Sequence, residues 1–443
     1  MLNRRDFLVR GLKCSSLFAL GPAVPAFVAS TARAAEPGGD TVLVVVELTG
    51  GNDGLNTLVP FGDDLYHSSR PTLRLTRDQT IPIDDHVGLN SALAGMQTLL
   101  ENGELAIVQG VGYPNPNRSH FESMDIWQTA DPGRRISSGW LARALGDVAV
   151  RPGQIPAFYL GDGERPLALH GSSAAVPTLN PGKPFGFRLA GGEFYGHDPD
   201  TEEDAVPESD KLETPDARAT RKRLLRELAA ESAAPASPLL QFARRTALDA
   251  YATVDRLQDI MNGKVELPEG EFEFDGREVR QVRRGLAYEL LLVARMIRAG
   301  FGTRLFYVAL DGFDTHASQL GDHNALLETL GNAVGGFFQD LEQSGDARRV
   351  VLVTFSEFGR RVAENASQGT DHGAASCLFV AGPAVRGGLV GRHPSLKEAD
   401  LDSGDLRHQV DFRQVYATLL DEWLECDPRR VLGGEFEHIG LLA

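Results

Sequence analysis

A chain of 443 residues, 42% hydrophobic and 24% charged, is globular and long enough to bury a sizeable core, as one large domain or two smaller ones. Its formal net charge of −17 repels phosphate backbones and anionic lipid, which excludes nucleic acid and the membrane surface as expected partners. A small anionic substrate would need a local cation.

The first 34 residues carry the twin arginines Arg4 and Arg5 before Phe7 and Leu8, an apolar stretch from Ser15 to Ser30, and Ala32-Arg33-Ala34 as a small-x-small cleavage site. This is the pattern of a twin-arginine export signal, so a periplasmic or secreted product is expected. The apolar stretch is shorter than the roughly 18 residues a spanning helix needs, and Gly21, Pro22 and Pro25 interrupt it, so no stable membrane anchor is expected. An ordinary amphipathic helix would explain neither the arginine pair nor the cleavage site. Beyond the signal only Cys377 and Cys426 remain, enough for one disulfide at most and too few for a four-cysteine iron–sulfur cluster.

Continuous apolar runs bounded by glycine or polar residues predict strands at Thr41–Leu48, Gly103–Gly112, Ile155–Gly161, Arg304–Leu310, Arg348–Phe355 and Ser376–Gly382. Helical patterns lie between them at Ser91–Asn102, Ser119–Ala130, Gly139–Gly146, Arg277–Ala299, Asp322–Ser344 and Asp411–Glu425. Strands alternating with helices predict an α/β fold with a mainly parallel central sheet and helices on both sides. The stretch from Gly191 to Pro238 is polar, with no aromatic residue after Tyr195, and reads as a surface insertion followed by a helix from Leu239 to Met261.

Four strand exits carry ligand-type side chains: Glu47 with Asn52 and Asp53 in "VVVELTGGNDGLNTLVP", Ser119 in "YPNPNRSHFESMDIW", Asp311, Asp314 and His316 in "FYVALDGFDTHASQ", and Glu357 with Asp371-His372 in the stretch from Thr354 to Pro383. Each has an ordinary reading. Asn52-Asp53-Gly54 is turn chemistry, Ser119 with Glu122 is a capping box, His316 alone is a hydrogen-bonded surface histidine, and Glu357 beside Arg360 and Arg361 is a surface ion pair. Together they change meaning, because carboxylates and imidazoles at several exits of one parallel sheet converge on one rim, and divalent cations favour such mixed ligands. A serine at a helix start beside that cation would be a nucleophile as well as a cap.

The order "VVVEL", a serine at a helix start, "ALDGFDTH", "LVTFSEFGR" and "DHGAASCLFVAGP" resembles the alkaline phosphatase superfamily of phosphatases, phosphodiesterases, sulfatases and cofactor-independent phosphoglycerate mutases, from about Thr41 onward. It is more closely similar to an exported branch of unknown function marked by "GGNDGLNTLVP" and "FDTH". The resemblance implies a signal peptide over 1–34 and one three-layer αβα domain over 40–443 with an insertion at 191–275. It places Glu47 at the first-strand metal ligand, Ser119 at the nucleophile, Asp314 and His316 in one metal site, Glu357 at the start of the family's Asp-His pair, and His372 at its last histidine. Arg118 or Arg360 is then available to bind the anion. One or two divalent cations (zinc, magnesium, calcium or manganese) are implied, with a small anionic ester as substrate. Three departures stand out: Glu357-Phe358 replaces Asp-His, Asp314 and His316 are closer together than the family's pair, and Glu47 is one methylene longer than aspartate.

The expected function is a metal-dependent hydrolase or transferase of phosphate-type esters. Its rival is an exported binding or assembly protein that keeps the fold without catalysis. Sulfatase chemistry is disfavoured because "SHFESM" lacks the proline and arginine of the C/S-x-P-x-R motif, and no G-x-G-x-x-G after a strand or C-x-x-C-H supports an oxidoreductase.

Overall fold

The structure, a computed structural model, describes residues 41–148, 154–180 except 173 and 175, and 285–443, with a few isolated positions between 181 and 284. The export signal, most of the insertion and, apart from Leu257, the Leu239–Met261 helix lie outside the described residues. All the elements below belong to one compact unit.

Its centre is a nine-stranded sheet built from β1 (Val42–Thr49), β2 (Leu105–Gly112), β3 (Ala157–Leu160), β4 (Thr178–Leu179), β5 (Leu305–Asp311), β6 (Val350–Phe355), β7 (Ser376–Ala381), β8 (Gly388–Val390) and β9 (Val410–Asp411). The order is β8-β2-β7-β6-β1-β5-β3-β4, with β9 also on β2. Every pair is parallel except β6 with β7 and β7 with β2, so β7 alone runs against the others. That reversal matters for the site. Residues just before β7 reach the same edge as residues just after β1, β2, β5 and β6.

Seven of the eight residues of β1 are buried, as a β-branched run covered on both faces requires. Leu43, Val45, Leu305, Tyr307, Val351 and Val353 point into one core with α1 (His120–Thr129), α2 (Trp140–Ala144), α5 (Phe412–Thr418) and α6 (Pro428–Leu432). The alternate residues face α3 (Leu286–Arg298) and α4 (Gln319–Ser344), which pack on each other. This is the expected α/β class, a mainly parallel sheet between two helical layers. Trp127 locks α1 in place by stacking on Phe412 at 4.3 Å and Phe355 at 5.5 Å, and burying such an indole contributes on the order of 3 kcal/mol. The start of α1 is thereby fixed at the rim of the sheet.

Two predicted helices are altered by local chemistry. Within the Arg277–Ala299 pattern the described helix runs over Leu286–Arg298, after Gly285 at φ 91°, and 277–278 pair instead with 273–274. Ser91–Asn102 splits into a 3-10 turn and a short helix, because Gly95 lies against the backbone of Gly331 in α4, where a Cβ would come within 2.5 Å. Cys377 and Cys426 are both free and buried. Among the described residues no helix is long and apolar enough to cross a membrane.

The "GGNDG" turn feeds a buried polar network. Asp53 takes Arg70 at 2.6 Å and Gln319 at 2.5 Å, while Asn52 Oδ1 lies 3.0 Å from His323 Nε2. Burial drives the His323 imidazole down to about 4 from 6.5, against the attraction of Asp53. A proton excluded from the folded state is bound by the unfolded one, so the stability His323 provides is present above pH 6.5 and is lost as pH falls towards 4. Between pH 7 and pH 4, wild type is expected to lose about 3 kcal/mol more unfolding free energy than His323→Gln in denaturant titrations. Equal losses would show that another group controls the acid limb.

Candidate metal centre

At the C-terminal edge of β1, β5 and β6, His120, Asp314 and His372 each aim one ligand-type atom at a common point, all within 4.8 Å of one another. His120 opens α1 after the β2 exit, Asp314 follows β5, and His372 precedes the reversed strand β7. His316 adjoins them, its Nε2 2.9 Å from His372 Nε2 and 3.0 Å from Asp314 Oδ1. Gly50, at φ 117°, permits this convergence: a Cβ there would lie 2.4 Å from the Asp314 amide nitrogen.

The hydrogen bonds behind the imidazoles fix which nitrogen faces inward. His372 Nδ1 is 2.9 Å from the Arg118 carbonyl, which can only accept, so Nδ1 carries the proton and the Nε2 lone pair faces Asp314 Oδ1 at 3.1 Å. His120 Nδ1 is 2.8 Å from Glu357 Oε1, which leaves its Nε2 facing His372 Nε2 at 3.0 Å. Lone pairs of two imidazoles and a carboxylate oxygen thus meet with no proton assigned between them. Acceptors gathered in this way repel unless a cation joins them, and an imidazole held through its other nitrogen by a carboxylate or a backbone carbonyl is the usual support of a metal ligand. The residues present fit a divalent cation.

Glu357 belongs to that support. Its side chain is wholly buried, and besides His120 it accepts from the Gly50 amide at 2.9 Å and meets the Ser356 hydroxyl at 3.0 Å. The surface ion pair expected from its neighbours is absent because Arg360 turns inward too. The Arg360 guanidinium donates to the carbonyls of Gly50, Gly51, Phe313 and Thr370 and to Asp314 Oδ1 at 2.7 Å. Phe358, standing where the resembling family has histidine, lays its ring against His120 at 4.8 Å and His372 at 4.7 Å.

The charges respond accordingly. Burial pushes the Asp314 carboxyl up, but the hydrogen bond and the positive charge of Arg360 outweigh it and hold the group at about 2. Bonding to Glu357 raises His120, whereas burial lowers His372. Changing Glu357 to Gln is expected to weaken metal binding about 10- to 100-fold while the protein still folds, read by competition with a chelator. Unchanged affinity would remove Glu357 from the role of orienting carboxylate.

Of the residues singled out in the sequence, Asp314, His316, His372 and Glu357 come together here, Glu357 through His120. Glu47 does not join them: its oxygens take Thr49 at 2.9 Å, Gln128 at 2.8 Å and the Tyr307 hydroxyl, and burial raises its carboxyl. Ser119 is exposed and precedes α1 without a capping bond from its side chain, and Glu122 bonds Asn117 and Arg134 in place of a capping box. Arg118 pairs with Asp405 at 2.6 Å and supplies the carbonyl that holds His372. The sequence reading passed over His120. Its signal was position alone, one residue beyond a serine at a helix start after a strand exit.

A family model described as "Protein of unknown function (DUF1501)" matches residues 40–435. No curated protein matches the chain. Among solved structures, the chain is similar to Ps i-CgsB, at 10% identity over 89% of this chain and 75% of that one, with a TM-score of 0.36. It is also similar to the PsFucS1 sulfatase from Pseudoalteromonas sp., at 11% identity over 94% and 75% with a TM-score of 0.37. A protein in the alkaline phosphatase superfamily from Vibrio parahaemolyticus matches at 11% identity over 80% and 63%, with a TM-score of 0.28.

Proposed function

The chain belongs to the DUF1501 family, and for this member we propose an exported metal-dependent hydrolase or transferase that acts on a phosphate-type ester through Ser119. The observation that carries the reading is the convergence of inward-facing His120 and His372 nitrogens on Asp314, one residue from an exposed serine.

His120, His372 and Asp314, with His316 beside them, would hold the divalent cation, and so nitrogen-rich a set suits zinc better than manganese, magnesium or calcium. When bound, the cation supplies charge that stabilises developing negative charge on a phosphoryl oxygen. Ser119 Oγ is free of capping duty and stands at the start of a ten-residue helix whose first N–H groups favour an anion. Oγ forms the bond to phosphorus and releases its proton to solvent at the open rim, while the ester P–O bond breaks and the departing alkoxide is protonated. Water or an acceptor alcohol then takes the phosphoryl group. Arg360 is saturated by carbonyls and Asp314, so its role is to position Asp314 and not to bind substrate.

A second reading, a catalytically silent exported binding protein, has one observation in its favour: Glu47 and Glu357, which could have completed a second metal site, are both engaged with protein donors. Protein from the exported fraction, analysed for metal and screened on phosphoesters, separates the two. Protein that stays metal-free after refolding with zinc, magnesium, calcium or manganese and is inert on every ester would overturn the enzyme reading.

A further inference from the structure

Beside this centre two arginines share one acid. Arg118 sends Nε and Nη2 to Asp405 Oδ2 at 2.8 and 2.6 Å, and Arg361 Nε stands 3.6 Å from Asp405 Oδ1, too far for a hydrogen bond. Asp405 Oδ1 is buried and makes no hydrogen bond among the described residues. The Asp405 side chain is 3% exposed, whereas those of Arg118 and Arg361 are 39% and 35% exposed. Arg118 and Arg361 thus share the Asp405 carboxyl, with the exposed Asp402 carboxyl close enough to act on it as well. Two half-exposed guanidiniums side by side repel, and an anion that takes the N–H groups Asp405 does not reach relieves that repulsion.

Both arginines are fixed to the centre through their backbones. The Arg118 carbonyl holds His372, and Ser119 follows it. The Arg361 amide donates to the Asp371 carbonyl at 3.0 Å, next to His372, and Arg360 before it bonds Asp314. In a chain of net charge −17, with Asp311 and Asp371 exposed on the same rim, this pair of half-exposed guanidiniums is where an incoming anion finds attraction.

We infer that Arg118 and Arg361, joined by Asp405, form a second anion subsite that takes a phosphate- or sulfate-type oxyanion elsewhere on the substrate, so that the preferred substrate carries two anionic groups. The inference rests on the proposed function for the first group, but the subsite can be tested without turnover. Arginine suits it better than lysine, since its planar fork can give two parallel N–H bonds to one oxyanion.

The probes are phenylphosphonate, with one anionic group, and propane-1,3-bisphosphonate, with two, titrated by calorimetry into zinc-treated wild type, Arg361→Gln and Arg361→Lys. The bisphosphonate is expected to bind wild type about tenfold more tightly than phenylphosphonate, to lose about that factor in Arg361→Gln, and to lose less in Arg361→Lys, with phenylphosphonate unaffected throughout. Inorganic sulfate titrated into chelator-treated protein tests the subsite alone: binding to wild type that is weakened about tenfold in Arg361→Gln supports it even if no metal ever binds. Equal effects on both phosphonates, or sulfate binding indifferent to Arg361, would overturn it. Matching thermal melts show that the variants are folded.

Discussion

Replacing His372 with Ala is expected to remove bound metal and activity together. A carboxylate that merely orients a ligand is worth about 10- to 100-fold in metal affinity, so losing an imidazole from so small a set should cost at least about 100-fold. The hydrogen bonds give this prediction a second, independent readout. In metal-free protein the His372 Nε2 lone pair faces Asp314 Oδ1 at 3.1 Å, an acceptor against an acceptor, and the variant relieves that repulsion. Metal-free His372→Ala should therefore melt no lower than metal-free wild type, whereas zinc should raise the melting temperature of wild type alone. A variant that melts well below wild type in chelator and still binds zinc would make His372 a packing residue and end the metal reading. His120→Ala should behave alike, with the added loss of its bond to Glu357.

Ser119→Ala should abolish turnover, by about a thousandfold or more if Oγ forms the covalent intermediate, and leave metal content untouched. Its cost in stability should be small. A serine that caps its helix costs about 1 kcal/mol to remove, but Ser119 makes no capping bond and is exposed, so the change should stay within about 0.5 kcal/mol. Metal analysis, chemical denaturation and ester turnover on the same preparation form the check. A variant that keeps its turnover would assign the attacking oxygen to something other than Ser119. One that loses turnover and metal together would show that the substitution has disturbed His120 next door, and the nucleophile would then have to be sought by trapping a phosphoserine in wild type.

The fold was legible because its strands are continuous β-branched and apolar runs, a pattern that only a sheet covered on both faces explains, and the predicted strands correspond to β1, β2, β3, β5, β6 and β7. Less legible was direction. Nothing in "SCLFVAG" says that β7 runs against its neighbours, yet that reversal brings His372 to the rim shared with Asp314. Helix boundaries slipped where contacts outside the helix decide them, as at Gly95, where two helices approach too closely for a side chain.

Residue types and spacing alone determined that imidazoles and carboxylates gather at strand ends and that a serine starts a helix there, because these are properties of local pattern. Tertiary structure alone decided which groups face inward as candidate ligands and which stand behind them. Glu357 and Glu47 are the same residue type at comparable strand exits, but one accepts from His120 and Gly50 while the other is taken up by Thr49, Gln128 and Tyr307. A carboxylate bonds whichever donor the packing brings within about 3 Å, and that donor can lie as far away in the chain as the Gly50 amide lies from Glu357. For the same reason His120 went unseen: an imidazole becomes a ligand only when something distant holds its other nitrogen.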